Sequence, residues 1–473
     1  MNQIATGVRP VCFKAYDVRG RVPDELNAEL AWAIGNAFVA LEGAKRVVVC
    51  RDIRQTSIEI AGALSDGLRA AGAEVLDIGI GGTEHVYFAV PQLEADGGIM
   101  VTASHNPADY NGMKFVRAGS VPISGDSGLN EIGDRAASGE ELRMQPAGGR
   151  RLLDVSEAYI QHLLGYLGEE MPKRLKIVVN AGNGGAGLVI DQLEPHLPFE
   201  FVKVHHEPDG SFPNGVPNPL LPENRKPTID AILASGADFG VAWDGDFDRC
   251  FFFDHEGHFI EGYYIVGLLA QYFLEHSTTK GERVVHDPRM TWNTREIVES
   301  YGGIPVVSKT GHAFMKERMR KENAIYGGEM SAHHYFRDFA YCDSGMIPWL
   351  LVAAMISATG KPLKTLVTER QARYPASGEI NRRIADPAAM LATVKARFAD
   401  KATHVDHIDG LSMEFADWRF NLRSSNTEPL VRLNVESRGD AALMQARTAE
   451  LLALLDGNDA DDSARTDSTS GKP

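Results

Sequence analysis

The alternation of short apolar runs with helix-like segments, from about residue 28 to 370, constrains the fold of this chain most strongly. The run RVVVC at 46–50 is typical of a buried strand, and IEIAGALSDGLRAAG at 58–72 has the spacing of an amphipathic helix. Strands that alternate with helices of this length predict parallel sheets joined by βαβ crossovers. Such sheets bind their ligands at the carboxyl ends of the strands, so the loops after the apolar runs are the candidate functional positions.

The length of 473 residues predicts about three or four domains. Changes in composition indicate boundaries within 136–151, near 255–262 and near 374–380. After about residue 375 the apolar pattern shortens and mixes, which predicts a smaller α+β domain. The last stretch, GNDADDSARTDSTSGKP, has too few apolar residues to bury a core, and we expect it to be disordered.

Charge and cysteine content exclude several classes of protein. A net charge of −16 lacks the basic footprint of a nucleic-acid binder, so an anionic ligand must be held by a local group of cations. The four cysteines are far apart and form no C-x-x-C pair, which argues against a zinc site or disulfides and fits a reducing, cytoplasmic compartment. The N-terminal residues lack a signal-peptide pattern, and the longest apolar stretch, MIPWLLVAAMISA, is too short to span a bilayer.

A serine follows the apolar run GGIMVTA in the segment GGIMVTASHNPADYNGMKF. Because Pro107 forbids a helical continuation, the strand presents Ser104 on a loop, either as an ordinary turn serine or as an exposed nucleophile. Neighbouring side chains on an extended backbone point to opposite sides, so we do not expect His105 to act as its base. The G-x-S-x-G elbow is also absent. Lys114, ten residues on, is a candidate positive charge beside the serine.

Three carboxylates alternate in the segment WDGDFDRC, at Asp244, Asp246 and Asp248. Such crowded charges repel unless a cation neutralises them, which favours a hard-metal site over an acidic turn. An EF-hand is excluded, because its sixth position is Arg249 rather than glycine and its twelfth is His255 rather than glutamate. A three-carboxylate loop leaves coordination positions open, and Mg²⁺ often uses such positions to hold a phosphate oxygen.

Two further polar segments have the composition of sugar and anion sites. The first, SKTGHAFMKERMRKENAIYGGEMSAHHYF, carries cations around a glycine turn and then alternating polar side chains that suit sugar hydroxyls: Lys309, His312, Lys316, Arg318, Glu329, Ser331 and His333. The second, RFNLRSSNTEPLVRLNVE, gathers hydroxyl, amide and guanidinium donors that suit a phosphate: Arg423, Ser425, Asn426, Thr427 and Arg432. A structural hairpin and a solvated turn are the alternatives. Together, the four segments predict a phosphosugar with a phosphoryl group to transfer.

The motifs TASHNP, DGDFDR, GEMSAHH and RSSNTEP, in this order and at this spacing, resemble those of the α-D-phosphohexomutase family, closest to its bacterial phosphomannomutase/phosphoglucomutase branch. The resemblance runs from FKAYDVRG at 13–20 to about residue 455. It implies an α/β protein of four domains, three α/β domains with mixed sheets and a C-terminal α+β domain, around a central cleft. The implied ranges are 1–146 with the phosphoserine loop, 147–255 with the metal loop, 256–372 with the sugar loop, 373–456 with the phosphate loop, and a disordered tail over 457–473.

The resemblance also implies a role for each candidate residue. Ser104 is implied to be a phosphoserine whose phosphate binds Mg²⁺ together with Asp244, Asp246 and Asp248. The other implied catalytic residues are three cations and a proton-transfer histidine: Arg19, Lys114, Arg249 and His312. The implied contacts of the O3 and O4 hydroxyls are Glu329 and Ser331, with His333 and Lys309 as further substrate contacts. The implied contacts of the substrate phosphate are Arg423, Ser425, Asn426, Thr427 and Arg432. Arg289, where many members carry lysine, is a further implied contact.

The activity implied by the resemblance is the interconversion of hexose 6-phosphate and hexose 1-phosphate, with mannose and glucose as sugars. It passes through a phosphoserine enzyme and a hexose 1,6-bisphosphate, with glucose 1,6-bisphosphate as activator. The implied enzyme is a cytoplasmic monomer in nucleotide-sugar and polysaccharide biosynthesis, with phosphosugar substrates and neither nucleic-acid nor membrane partners. The alternatives are a phosphoglucosamine-type mutase, which a different residue at Ser331 would indicate, and a non-catalytic phosphosugar-binding protein, which loss of Ser104 or an aspartate would indicate. A phosphatase is disfavoured, because it would leave the sugar segment without a role.

Overall fold

The computed structural model describes residues 7–168, 173–424 and 430–457. The chain forms two compact units, one of Met1–Asp287 with Thr294–Val367, the other of Pro288–Asn293 with Thr368–Pro473. The first unit contains three mixed sheets, and the second contains an antiparallel sheet with helices. This architecture confirms the α/β class with mixed sheets and a C-terminal α+β part.

The first sheet has the strand order β1-β5-β4-β2-β3-β7, with β6 beside β5. Its strands are β1 (Val18–Arg21), β2 (Arg46–Arg51), β3 (Glu74–Ile80), β4 (Gly97–Val101), β5 (Tyr110–Arg117), β6 (Val121–Pro122) and β7 (Arg150–Leu152). Its helices are α1 (Ala28–Glu42), α2 (Ser57–Ala70), α3 (Thr83–Gln92) and α4 (Leu129–Ser138). Strands β2, β3, β4 and β7 run parallel, whereas β5 pairs antiparallel with both β4 and β1, so a purely parallel sheet was too simple an expectation.

The second sheet has the order β12-β11-β10-β8-β9. Its strands are β8 (Lys176–Asn180), β9 (Glu200–Val204), β10 (Phe239–Trp243), β11 (Cys250–Asp254) and β12 (Phe259–Ile260), with helices α5 (Ser156–Leu164), α6 (Ala186–Leu193) and α7 (Lys226–Ser235). The third sheet has the order β14-β13-β15-β16-β17. Its strands are β13 (Arg283–His286), β14 (Ile304–Val307), β15 (Tyr326–Gly328), β16 (His334–Phe336) and β17 (Cys342–Asp343). The helices of this part are α8 (Gly262–His276), α9 (Trp292–Ser300), α10 (His312–Glu322), α11 (Met346–Thr359) and α12 (Leu363–Arg373).

The sheet of the second unit is antiparallel, in the order β18-β22-β21-β20-β19. Its strands are β18 (Ile380–Arg383), β19 (His404–Asp406), β20 (Leu411–Glu414), β21 (Trp418–Ser424) and β22 (Leu430–Ser437), with helices α13 (Pro387–Phe398) and α14 (Ala441–Leu455). One face carries the unit's own apolar core, which includes Phe398, Trp418, Phe420 and Leu451. Apart from Gly457, the predicted disordered tail lies outside the described residues.

Strands β4 and β10 bring the candidate residues to the ends of their sheets. Both strands are buried at every position, since helices cover both faces of a parallel-type sheet, and this explains their continuous apolar runs GGIMV and FGVAW. Each run stops where polar residues begin, at Thr102 after β4 and at Asp244 after β10. The loops that follow therefore start from rigid positions.

No single helix of the described ranges is long and apolar enough to cross a membrane. Helices α11 and α12, bent by 99° at their junction, pass that test only when taken together, by length and composition. In α11 most side chains are buried in the protein.

Candidate active site

The loop after β10 holds three buried carboxylates that face one another. Asp244, Asp246 and Asp248 are at most 1% exposed, and one oxygen of each lies within 4.8 Å of the others. Within the described part of the chain, the Oδ1 atom of each has no hydrogen-bond partner. Three neighbouring buried carboxylates, each with an unpaired oxygen, are the kind of donor set that a hard divalent cation takes. The residues therefore fit a metal ion.

The second oxygen of each carboxylate is fully engaged by fixed donors. Asp244 Oδ2 accepts from Arg249 Nε at 2.9 Å and Nη2 at 2.7 Å. Lys114 Nζ donates to Asp246 Oδ2 at 2.7 Å and to Asp248 Oδ2 at 2.5 Å. These contacts hold the aspartates in fixed orientations, so their Oδ1 atoms are aimed before any ion arrives.

Burial and nearby charges shift the pKa values of the residues in this cluster in different directions. Burial raises the pKa of Asp244 to about 6, against the opposing charge of Arg249. Burial alone would also raise the pKa of Asp246, but the charge and hydrogen bond of Lys114 lower it below the usual range. Burial likewise opposes the charged form of Lys114, yet the charges of Asp246 and Asp248 raise its pKa. The three carboxylates are therefore only partly neutralised by protein cations.

Ser104 lies against this cluster. The residue is 3% exposed, and its Oγ donates to Asp244 Oδ2 at 2.9 Å. Its backbone is left-handed, with φ of 50°, and its main-chain N–H donates to Thr102 Oγ1 at 2.9 Å. The predicted serine and metal loop, 140 positions apart in the chain, are thus brought into contact.

The expectation that the side chains of Ser104 and His105 point apart is wrong. His105 Nδ1 lies 3.0 Å from Ser104 Oγ, because the left-handed turn at the serine replaces the extended backbone that we assumed. Arg249 Nη2 also lies 2.6 Å from His105 Nδ1. Since arginine can only donate, that nitrogen must carry a lone pair. Burial, followed by the charge of Arg249, lowers the pKa of His105 well below its usual range, so the ring is neutral.

Arg19 approaches the same serine loop from β1. Its Nε donates to Asp17 Oδ2 at 2.8 Å, and its Nη1 donates to Asn106 Oδ1 at 2.6 Å. Burial opposes its charged form, but the charge of Asp17 more than compensates and raises the pKa of Arg19. Arg19 is therefore a fixed cation that contacts the Ser104 loop at Asn106.

The segment after β15 joins the metal loop on another side. Glu329 is 1% exposed and accepts from Gly311 N–H at 2.9 Å and from the Tyr335 hydroxyl at 2.6 Å. His333 lies between this carboxylate, at 3.3 Å, and Asp248, at 3.7 Å. Ser331 Oγ is 3.4 Å from His333 Nδ1. The alternating polar residues therefore face one side, as the sequence predicted.

Helix α10 starts at His312 and presents a second histidine. Lys316, one turn later, is buried, lies 3.4 Å from His312 Nδ1 and pairs with Asp343 at 2.7 Å. Burial, together with the charge of Lys316, lowers the pKa of His312 well below its usual range. Lys309 is an exposed residue whose Nζ is 5.7 Å from the ring of Phe314.

Two residues of this cluster, Thr83 and Asp343, were missed from the sequence. Thr83 donates to Asp246 Oδ2 at 2.5 Å, and Asp343 pairs with Lys316, which the sequence showed only as a cation near a glycine turn. Asp343 also belongs to a second group, with Asp248 and His333, that could hold a metal ion. The GGTEH and YCDSG segments around Thr83 and Asp343 carry polar residues after apolar runs, which was the available signal.

The second unit contains its own cluster of cations. Glu379 lies among three arginines, at 3.5 Å from Arg289, 3.3 Å from Arg423 and 3.4 Å from Arg432. Burial alone would raise the pKa of Glu379, but the charge of Arg289 and then the other arginines lower it. Three guanidinium groups around one carboxylate leave a positive excess that suits a phosphate. The predicted contacts Ser425, Asn426 and Thr427 lie outside the described residues.

A buried serine beside three carboxylates that could hold a metal ion, with the fixed cations Lys114 and Arg249 on those carboxylates, is typical of phosphoryl-transfer enzymes. The domain models of the phosphoglucomutase/phosphomannomutase family match the chain in order, with α/β/α domain I at 10–143, domain II at 157–257, domain III at 261–374 and the C-terminal domain at 379–453. The chain belongs to this family.

Individual proteins agree with this assignment. A protein of Xanthomonas campestris pv. campestris described as phosphohexose mutases is 60% identical over 445 residues, covering 94% of this chain and 99% of that protein. A phosphomannomutase of Salmonella montevideo is 60% identical over 451 residues, covering 94% and 98%. The crystal structure of a phosphoglucomutase/phosphomannomutase family protein from Burkholderia thailandensis superposes with a TM-score of 0.83 at 34% identity, covering 94% of this chain and 97% of that one.

Proposed function

We propose that this protein interconverts hexose 6-phosphates and hexose 1-phosphates of the manno and gluco series, by way of a phosphoserine at Ser104 and a hexose 1,6-bisphosphate. The observation that carries the proposal is the 2.9 Å contact of the Ser104 hydroxyl with Asp244 in the carboxylate cluster. The relatives at 60% identity described as phosphohexose mutases and phosphomannomutase support this reaction.

The reaction consists of two transfers. In the first, the bond between Ser104 Oγ and phosphorus breaks as a sugar hydroxyl oxygen bonds to that phosphorus. The hydroxyl proton passes to a neutral histidine, for which His312 is our candidate because burial and Lys316 keep it unprotonated at neutral pH. The bisphosphate then turns end for end. Ser104 Oγ bonds to the other phosphorus as the bond from that phosphorus to its sugar oxygen breaks, and the released sugar oxygen takes the proton back from the histidine.

The surrounding residues fix and neutralise the transferring group. Mg²⁺, held by Asp244, Asp246 and Asp248, would supply positive charge to the phosphoryl oxygens when bound. Lys114 and Arg249 orient the carboxylates, and Arg19 is a further cation at the serine loop. The proposed contacts of the sugar hydroxyls are Glu329, Ser331 and His333, with Lys309 beside them. The proposed contacts of the phosphate that is not transferred are Arg289, Arg423 and Arg432, together with the sequence-predicted Ser425, Asn426 and Thr427.

The remaining features of the proposal follow from the family resemblance. The enzyme has Mg²⁺ as its ion, glucose 1,6-bisphosphate as activator and phosphosugars as its only partners, without nucleic acid or membrane. It is a cytoplasmic monomer of nucleotide-sugar and polysaccharide biosynthesis. Its domains are 1–146, 147–255, 256–372 and 373–456.

The deciding experiment follows the phosphoryl group on Ser104. We expect intact mass spectrometry to find a phosphorylated fraction that maps to Ser104. Ser104→Ala should lower turnover on mannose 1-phosphate and glucose 1-phosphate by about 10³-fold or more while substrate still binds. Ser138→Ala, at the exposed end of α4, is the matched control and should keep full activity. Near-normal turnover of Ser104→Ala would contradict the proposal.

A further inference from the structure

One arginine that the proposed reaction does not use holds the loop that carries Ser104. Arg54 Nη2 donates to the main-chain oxygens of Ser104 at 2.9 Å and Asn106 at 2.6 Å. Its Nη1 donates to those of Pro107 at 2.7 Å and Tyr110 at 3.0 Å. A single guanidinium group thus binds four carbonyl groups, three in the loop that carries Ser104 and one at the start of β5.

The guanidinium group itself is firmly anchored. The Arg54 side chain is 1% exposed, and its Nε lies 3.4 Å from Asp52 Oδ2. Asp52 Oδ1 accepts in turn from the Arg54 N–H at 3.0 Å and from the Ser57 hydroxyl at 2.5 Å. The ring of Phe212 covers the guanidinium carbon at 5.1 Å from its centroid. Burying an arginine is costly, and here the cost is offset by the four hydrogen bonds of the two Nη atoms and by the charge of Asp52 beside Nε.

The four hydrogen bonds from Arg54 to these carbonyl oxygens, here called the clamp, act on a residue with a left-handed backbone. The left-handed region is unfavourable for a non-glycine residue, and Ser104 has a φ of 50°. Its conformation is held from both sides, by Thr102 on its N–H and by Arg54 on its carbonyl oxygen. This conformation directs Oγ at Asp244. Without the clamp, the loop would relax toward conformers in which Oγ leaves the metal site.

We propose that Arg54 is a positioning residue, which keeps Ser104 in the geometry needed for phosphoryl transfer without touching a reacting atom. The inference rests on the proposed function and adds to it. A displacement of about 1 Å at a reacting group can cost about 10²-fold in rate. Because the clamp orients the phosphoryl donor and contacts no sugar group, its loss should lower kcat and leave KM nearly unchanged.

The test is Arg54→Lys, with Arg225→Lys as matched control. Lysine keeps the charge, but its single ammonium group cannot reproduce a planar donor to four carbonyls. Arg225 also clamps main-chain carbonyls, of Pro219 at 2.9 Å and Leu220 at 2.7 Å, and it packs on the Phe259 ring at 3.6 Å, but its loop carries no proposed site residue. We expect Arg54→Lys to lower kcat about 30- to 100-fold with KM within about threefold, and Arg225→Lys to lose stability but keep kcat.

A second readout and a second variant complete the test. Mass spectrometry should show that glucose 1,6-bisphosphate phosphorylates dephosphorylated Arg54→Lys enzyme more slowly than wild type, by the same factor as kcat. A kcat within about threefold of wild type, or a rise in KM that accounts for the loss, overturns the inference. If circular dichroism shows that Arg54→Lys does not fold, the inference is tested with Phe212→Leu, because the Phe212 ring packs on the Arg54 guanidinium group. We expect kcat of Phe212→Leu to be about 3- to 10-fold lower than wild type at constant KM. An unchanged kcat in Phe212→Leu likewise overturns it. If the wild type itself shows no mutase activity, the proposed function fails and this inference falls with it.

Discussion

The carboxyl group of Glu84 is fully buried, and its Oε1 accepts a hydrogen bond from the Tyr159 hydroxyl at 2.5 Å. Burial raises the pKa of Glu84 to about 8, more than nearby hydrogen bonds lower it. The folded protein therefore holds a proton on Glu84 that the unfolded chain, with an ordinary glutamate pKa, releases near pH 4.5. This group costs no stability below about pH 4.5, and its cost grows as pH rises to about 8.

We expect Glu84→Gln to remove this dependence, because glutamine keeps the shape without the proton. The free energy of unfolding of the variant, relative to wild type, should rise by up to about 1.4 kcal/mol per pH unit between pH 5 and 8. Urea unfolding across pH 5 to 9 measures it. Glu157→Gln, at an exposed position of α5, is the control and should give a constant difference. A constant difference for Glu84→Gln as well would contradict the assignment.

Substitution of Glu329 tests whether the proposed sugar site accepts both mannose and glucose phosphates. Mannose and glucose differ only at C2, whereas Glu329 and Ser331 are proposed to bind the shared O3 and O4 hydroxyls. A buried donor left unpaired by the wrong epimer would cost about 1–3 kcal/mol, so a site that does not bind the C2 hydroxyl has little discrimination. We expect kcat/KM for the two 1-phosphates to agree within about tenfold.

Glu329→Gln should weaken both sugars by similar factors, while Glu322→Gln, whose carboxylate pairs with Arg283 and Arg318 near the surface, should change neither. Steady-state kinetics on both substrates provides the comparison. A preference far above a hundredfold, or an effect confined to one sugar, would mean that another residue binds the C2 hydroxyl.

At the scale of elements, the start of α3 is packed directly onto the metal loop. Thr83 N–H donates to the Asp246 carbonyl oxygen at 3.2 Å, and the Thr83 hydroxyl donates to Asp246 Oδ2. Gly82 lies at this contact, where an added Cβ would come within 2.5 Å of the Asp246 carbonyl oxygen and 2.3 Å of the Phe247 ring. Only glycine allows this approach of helix and loop.

We therefore expect Gly82→Ala to push the two elements apart and to weaken both Mg²⁺ binding and kcat by at least about tenfold. Gly62 in α2 is the matched control, since its added Cβ would meet no atom within 4 Å. Gly62→Ala should keep full activity and stabilise the protein by about 0.5–1 kcal/mol, because alanine favours the helix. Mg²⁺ titration calorimetry, kinetics and thermal unfolding distinguish the pair. Normal Mg²⁺ affinity in Gly82→Ala would show that the contact does not shape the metal loop.

At the scale of the whole molecule, an enzyme with a net charge of −16 must bind anionic substrates through local cations. In the second unit, the arginines around Glu379 are the proposed cations. We expect Arg423→Gln to raise KM for hexose phosphates at least about tenfold, because one charge-assisted contact to phosphate is lost. Arg382→Gln changes the net charge equally, but Arg382 pairs with Asp456 at the surface, so its KM should stay near wild type. Equal effects of both variants would assign the change to net charge alone.

The sequence by itself determined the local features of this protein. Strand β2 lies at Arg46–Arg51 and helix α2 at Ser57–Ala70, within two residues of the segments predicted at 46–50 and 58–72. Hydrophobic periodicity is a local property, and it reports local structure directly. The spacing of the motifs also indicated the family, because the order of polar loops after apolar strands is visible in the chain.

The tertiary structure alone decided which distant groups meet and how they are oriented. Lys114 contacts Asp248 across 134 positions, and Arg54 reaches the carbonyl oxygen of Ser104 across 50. The left-handed backbone of Ser104, which brings His105 to its hydroxyl, was hidden because it depends on those long-range contacts rather than on local preference. Burial acts in the same way: the sequence shows Lys316 as one of several cations around a glycine turn, and only the packing around it makes it an internal partner of Asp343.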